Sequence, residues 1–206
     1  MKRIVLPPTY ISTLRKDKRL FLIVKQQDKF ILEPRKKVYL SLVSSIISQQ
    51  LSTKVAAVIY GRFLKLFAGK LPTVDMILDT ELEVLRSIGL SNAKASYVKN
   101  VCNFFKENSI TDAKLSKMED RAVIDLLTQI KGVGRWTVEM ILMFTLARED
   151  VFAADDLAIQ QSMAKIYDLE MANKKQFLSE IKSIAENWKP YRTYACRHLW
   201  GWKDGV

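Results

Sequence analysis

The segment IKGVGRWTVEM (residues 130–140) sets two glycines, Gly132 and Gly134, around one valine and follows them with Arg135 and Trp136. Glycine takes positive φ freely and lets a ligand approach the backbone closely. The amides around Gly134 open an apolar run that reads as a helix, so they point outward as donors with a helix dipole behind them. Such a nest binds phosphate. It grips a polyanion without reading its sequence. A plain helix–helix turn would need only one glycine. Ile130 and Val133 supply the packing of the turn, and its inner carbonyls, those of Thr128, Ile130 and Val133, are candidates for holding a monovalent cation.

A second group is the acid pair of AADDLAIQ, Asp155 and Asp156. On composition both are helix N-caps, and a helix N-terminus favours negative charge. Trp136 and Trp200 are large amphipathic rings on helical segments, for which core packing is the commoner fate.

Positioning these residues requires helices, and the chain reads as all-α. Its 206 residues hold only 7 glycines and 5 prolines, too few for many strands and tight turns. KVYLSLVSSIISQQ (37–50) is apolar on most sides, as a central helix should be. TKVAAVIYGRFLKLFAG (53–69) starts at a Ser52/Thr53 cap and stops at Gly69. Further helices are expected over 17–27, from a Thr73 cap, and over 81–89, 91–108, 119–130, 135–148, 155–169, 174–188 and 191–202. The chain suffices for one domain or two small lobes.

Net charge is +11, which points to nucleic acid as the partner. Only Cys102 and Cys196 occur, which excludes a disulfide framework and a four-cysteine iron–sulfur cluster. The single histidine, His198, excludes histidine-rich zinc sites. The start, MKRIVLPPTY, has too short an apolar run for a signal peptide, and Pro7–Pro8 breaks it. No run reaches the length of a membrane span. The expected location is cytoplasm or nucleoid, or the nucleus of a eukaryote, with no membrane association.

LLTQIKGVGRWTVEMILMFTLAREDVFAADDLAIQ (126–160) resembles the signature of helix–hairpin–helix DNA glycosylases, and most closely their alkylpurine branch, DNA-3-methyladenine glycosylase II. IISQQLS (46–52), LRSIGLSNAKASYV (85–98) and PYRTYACRHLW (190–200) agree, so the resemblance runs through residues 46–200. It implies two helical lobes, about 45–147 and about 1–44 plus 148–206, with a DNA-binding cleft between them. An additional N-terminal β domain found in some relatives has no room in this chain.

The resemblance implies that the essential aspartate is Asp156, with Asp155 as a cap-like neighbour. Strand-cutting members carry a Schiff-base lysine two residues after the second hairpin glycine. Here that position is Trp136, and Lys131 does not match, so the reading is a monofunctional enzyme that uses water. Trp136 and Trp200 match the family's base-pocket tryptophans. One turn after the first, where a relative has tyrosine, stands Met140; Tyr191 and Tyr194 are further pocket candidates, for which a structural role is the commoner reading. Gly132, Val133, Gly134, Arg135 and Thr137 would bind the DNA backbone. The turn after 37–50 would supply a wedge for the stack, Leu51 or Gln50, beside Ser52. Ser91, Asn92, Ala93 and Lys94 would add contacts.

The implied activity is hydrolysis of the N-glycosidic bond of alkylated purines such as 3-methyladenine, on double-stranded DNA, by a monomer. No cofactor is required, with a structural Na⁺ or K⁺ possible at the hairpin. The alternatives are a glycosylase with another base preference and a non-catalytic helix–hairpin–helix DNA-binding module.

Overall fold

The computed structural model describes residues 9–205; Pro7 and Pro8, which break the N-terminal apolar run, lie outside them. The described residues form thirteen helices and no strand: α1 (Thr9–Leu14), α2 (Lys18–Val24), α3 (Val38–Ser48), α4 (Thr53–Lys65), α5 (Val74–Asp79), α6 (Leu82–Ser87), α7 (Asn92–Glu107), α8 (Asp112–Lys117), α9 (Asp120–Leu127), α10 (Arg135–Phe144), α11 (Leu157–Tyr167), α12 (Lys174–Glu186) and α13 (Arg192–Lys203). Every expected helix is present. Two short ones, α1 and α8, escape the reading, because six residues give too few apolar repeats; the equally short α5 and α6 are reached through the Thr73 cap and the Gly89 stop, and α8 buries only Leu115.

The chain divides into two compact units, Pro34–Leu146 and Met1–Glu33 with Ala147–Val206. The first boundary therefore falls at Pro34, not near residue 45. The difference is α3. Its Val38, Leu40, Leu42, Val43, Ile46 and Ile47 are buried, which leaves a stripe of serines, Ser41, Ser44, Ser45 and Ser48, outside the core, and it packs on α4, α7 and α10 of the continuous unit.

Burying most of a helix makes its ends the difficulty, since terminal amides and carbonyls need partners. No side chain of its own caps the start of α3. Asp112 of α8 does so instead, accepting from the amides of Lys37 (2.6 Å) and Val38 (3.0 Å). At the other end Lys94 of α7 donates Nζ–H bonds to the carbonyls of Ile47 (2.9 Å) and Gln49 (2.5 Å). An anion sits at the N-terminus and a cation at the C-terminus, the arrangement the helix dipole favours.

In the second unit α13 packs against α11 and α2. One carboxylate joins several of its elements. Asp17 caps α2 through the amides of Arg19 and Leu20, and accepts from the fully buried Trp188 indole (2.8 Å) and the Tyr167 hydroxyl (2.5 Å). Burial, then the bond to Asp17, pushes the Tyr167 hydroxyl far above its ordinary pKa, so it stays a donor.

His198 lies fully buried on α13. The Gln27 amide donates to the His198 carbonyl (2.9 Å) and turns its oxygen toward Nδ1 (3.1 Å), which assigns the ring proton to Nδ1. Burial, reinforced by the positive charge of Arg197, pushes the imidazole pKa down to about 4. The unfolded chain takes up this proton near its ordinary value of about 6.5. The stabilisation is thus complete above about pH 6.5 and is lost as pH falls toward 4, with a slope of up to about 1.4 kcal/mol per pH unit. Urea unfolding of wild type and His198→Gln across pH 4–7 checks this: the wild-type curve should fall more steeply, and parallel curves would contradict it.

Candidate nucleic-acid interface and active site

In the continuous unit α9 ends at Thr128, and the chain turns through Gly132 and Gly134 into α10. Gly132 has φ +102, and a Cβ there would lie 2.3 Å from Cγ of Tyr97. Only glycine fits. Gly134 differs: its φ is −93, and an added Cβ would meet nothing within 4 Å. The expected positive φ therefore holds at Gly132 and is corrected at Gly134, where glycine leaves open space before a helix start. No side chain caps α10, and Gly134, Arg135 and Trp136 are exposed around its first turn. Those conditions suit an incoming anion.

The hairpin is held from behind. The Gln49 amide donates to the Gly132 carbonyl (3.2 Å), Asn100 donates to Lys131 (3.3 Å), and Ile130 and Val133 are buried, with Val133 N–H on the Ile130 carbonyl (2.9 Å). Arg135 is tied back along α10 to the buried Glu139 (2.9 Å). The Thr137 side chain is buried, so its part in an anion site would rest on its backbone amide.

Between α3 and α4 the chain makes a tight turn. Leu51 N–H bonds the Ser48 carbonyl (3.1 Å), Gln49 is extended, and Gln50 has φ +58. Leu51 is exposed, which removes the reading of a core leucine. Ser52 caps α4 through the Val55 amide. A cavity of about 480 Å³ opens beside this turn, lined among others by Gln49, Gln50, Lys94, Tyr97 and Trp136. Trp136 is 46% exposed, so it is not a core residue. Met140 lies one turn further along α10, half-buried. Lys94 has its ammonium on two carbonyls, and burial lowers its pKa.

Asp156 and Trp200 belong to the other unit. Asp156 is itself the N-cap of α11: its Oδ1 accepts from the Ile159 amide (2.9 Å). The cap-like role expected of Asp155 is thus corrected; Asp155 is exposed and lies before the cap. The same Oδ1 accepts from the Trp200 indole Nε1–H (3.0 Å).

The loop that delivers Asp156 is clamped by the start of α13. Arg192 grips Asp150 through Nε (2.7 Å) and a second nitrogen (3.0 Å), a bidentate pair. Buried Thr193 accepts from the Val151 amide and donates to the Arg148 carbonyl (2.6 Å). Tyr194 bonds Glu149 (2.8 Å) and stacks on Tyr10, and Gln160 reaches back to the Ala154 carbonyl (2.8 Å). Tyr194 is structural, in line with the sequence. Residue types and spacing do not single out Arg192, Thr193, Gln49, Tyr97 or Asn100. Their roles depend on partners distant in sequence, although all but Asn100 lie within the motifs quoted.

Among the described residues no group of three or more His, Cys, Asp and Glu side chains is placed to hold a metal ion, and no helix is long and apolar enough to cross a membrane.

Residues 43–188 match the model of the HhH-GPD superfamily base excision DNA repair protein. The chain belongs to this superfamily. It is 35% identical over 168 residues to the DNA-3-methyladenine glycosylase 1 of Schizosaccharomyces pombe, covering 81% of this chain and 72% of the relative. The crystal structure of a DNA-3-methyladenine glycosidase from Bacillus halodurans superposes with a TM-score of 0.82 at 34% identity, covering 95% of this chain and 89% of that one. The 3-methyladenine DNA glycosylase of S. pombe, solved in complex with abasic DNA, superposes with a TM-score of 0.79 at 31% identity, covering 93% and 95%.

The two hairpin glycines separate fold from binding. Gly132→Ala should destabilise by roughly 2 kcal/mol or more, from backbone strain and the Tyr97 clash. Gly134→Val should leave stability within about 0.5 kcal/mol. It should weaken binding to damaged and undamaged duplexes alike, since phosphate contacts carry no sequence. Thermal melts and fluorescence anisotropy read both; unchanged affinity in the Gly134 variant would remove the anion site.

Proposed function

We propose that the chain is a monofunctional DNA glycosylase of the DNA-3-methyladenine glycosylase II type, releasing alkylated purines such as 3-methyladenine from double-stranded DNA in base-excision repair. The observation that carries this reading is Asp156: a carboxylate fixed at a helix start by a backbone amide and an indole N–H. Family membership and the names of the relatives support it.

A purine alkylated at N3 or N7 is already cationic. When its C1′–N bond breaks, the bonding electrons pass to the base, which leaves neutral and needs little acid assistance. The difficult species is the oxocarbenium-like sugar. A preorganised anion stabilises that developing charge. Water then adds to C1′, and its proton passes to the carboxylate or to solvent. Trp136 stands where strand-cutting relatives carry their lysine, so no Schiff base forms with the enzyme at this position and the strand stays whole.

Trp136 and Trp200 each offer an indole to the extruded cationic base, where cation–π attraction is worth roughly 0.5–2 kcal/mol. Met140 in place of a tyrosine would shape which bases are accepted. The first turn of α10 holds the DNA backbone, and Leu51 or Gln50 enters the stack left by the base. The carbonyls of Thr128, Ile130 and Val133 are all neutral oxygen donors, a set suited to Na⁺ or K⁺. The Ile130 carbonyl already accepts from Val133 and retains a second lone pair. A cation there would add positive charge beside the phosphate site.

Single-turnover base release from methylated duplex DNA tests the reading. Asp156→Asn retains an oxygen for the Ile159 and Trp200 bonds, so the fold should survive, while release should fall by about 10²–10³ or more. Asp155→Asn should be mild. A fully active Asp156→Asn enzyme would refute the mechanism, and a dead Asp155 variant beside an active Asp156 variant would reverse the assignment.

A further inference from the structure

We infer that Lys94 is a positioning residue for base extrusion: through main-chain carbonyls it holds the Gln49–Ser52 turn in the conformation that presents Gln50 and Leu51, while Gln49 ties the same turn to the phosphate-binding hairpin. This rests on the glycosylase reading above and extends it to a residue whose charge would otherwise be assigned to DNA.

The turn is strained where it matters. Extended Gln49 (φ −50, ψ 130) followed by Gln50 at φ +58, with the Leu51 amide on the Ser48 carbonyl, is the pattern of a type II turn. That turn wants glycine at the place Gln50 occupies. Strained residues of this kind persist only where the surroundings over-determine them.

Two contacts do so here. Lys94 Nζ donates to the carbonyls of Ile47 and Gln49, at the end of α3 and in the turn itself. The Gln49 side chain donates to the carbonyl of Gly132, and Gly132 is pressed against Tyr97, one helical turn from Lys94 on α7. The wedge turn, the α7 start and the hairpin are thus one hydrogen-bonded cluster beside the cavity that Trp136 lines. The Lys94 ammonium is engaged with carbonyls, not displayed as a loose surface charge. Its work is to fix where Leu51 stands when the hairpin meets a phosphate.

The test uses the full chain with Lys94→Met, which keeps the stem and removes the donors. A phosphate contact and a turn clamp then give opposite readouts. The clamp leaves the salt dependence of duplex binding unchanged. Loss of a phosphate contact would reduce the slope of log K against log salt by about 1. The clamp also predicts that excision from a fully paired methylated duplex falls about tenfold or more. Excision should fall less than about threefold from a duplex lacking a base opposite the lesion, where extrusion costs less. Gln50→Gly, which relieves the left-handed backbone, should restore part of the melting temperature that Lys94→Met loses.

A reduced salt slope, an equal loss on both substrates, or no rescue of melting by Gln50→Gly would each overturn the inference. Wild-type protein that releases no base at all would instead overturn the glycosylase reading. The melting experiment would still test the clamp.

Discussion

A single carboxylate oxygen carries the chemistry proposed for this chain. Oδ1 of Asp156 accepts both the Ile159 amide at the start of α11 and the Trp200 indole N–H. An anion that must stabilise a developing cation is useful only if it does not move, because its contribution falls with every reorientation it must undergo. The helix start fixes its backbone side and the indole fixes its approach. The preceding loop is fixed in turn by the first turn of α13, through Arg192, Thr193 and Tyr194. The helix that supplies the indole also anchors the loop, so the position of the carboxylate is set twice by one element.

The continuous unit solves a different problem. α3 is buried on most sides, and its ends are satisfied by charges from elsewhere, Asp112 at the start and Lys94 at the end. Those bonds also set the path of the chain as it leaves α3. The turn there is strained at Gln50, and the hairpin opposite is locked by Gly132 against Tyr97. Burial of one helix and the placing of the two turns proposed to meet DNA are therefore linked.

Much of this was legible in the sequence. The all-α class followed from the scarcity of turn residues and the 3.6-residue periodicity, and the resemblance of residues 126–160 reached the family. Periodicity gives out in six-residue helices: α5 and α6 are reached through a cap and a stop signal, while α1 and α8 are missed. The pairings that fix the site were not legible, because they join residues far apart along the chain. Asp112 lies 74 positions from Val38, and Trp200 lies 44 from Asp156. Nor does sequence separate Gly132 from Gly134. Both are glycines of one motif, yet one is demanded by φ and packing and the other only by the space it leaves. The same limit gave a cap role to both Asp155 and Asp156, when only Asp156 caps α11.

The most direct measurement is single-turnover base release by Trp200→Phe, in wild-type and Asp156→Asn backgrounds. Phenylalanine keeps an aromatic face for the base and removes the indole N–H. A hydrogen bond to a charged group is worth about 1.5–3 kcal/mol, so release should slow by roughly 10- to 150-fold. In the Asp156→Asn background the same substitution should cost much less, because the charge it orients is gone. A Trp200→Phe enzyme that releases base at the wild-type rate would contradict the account. So would one that loses the same factor whether or not Asp156 is charged.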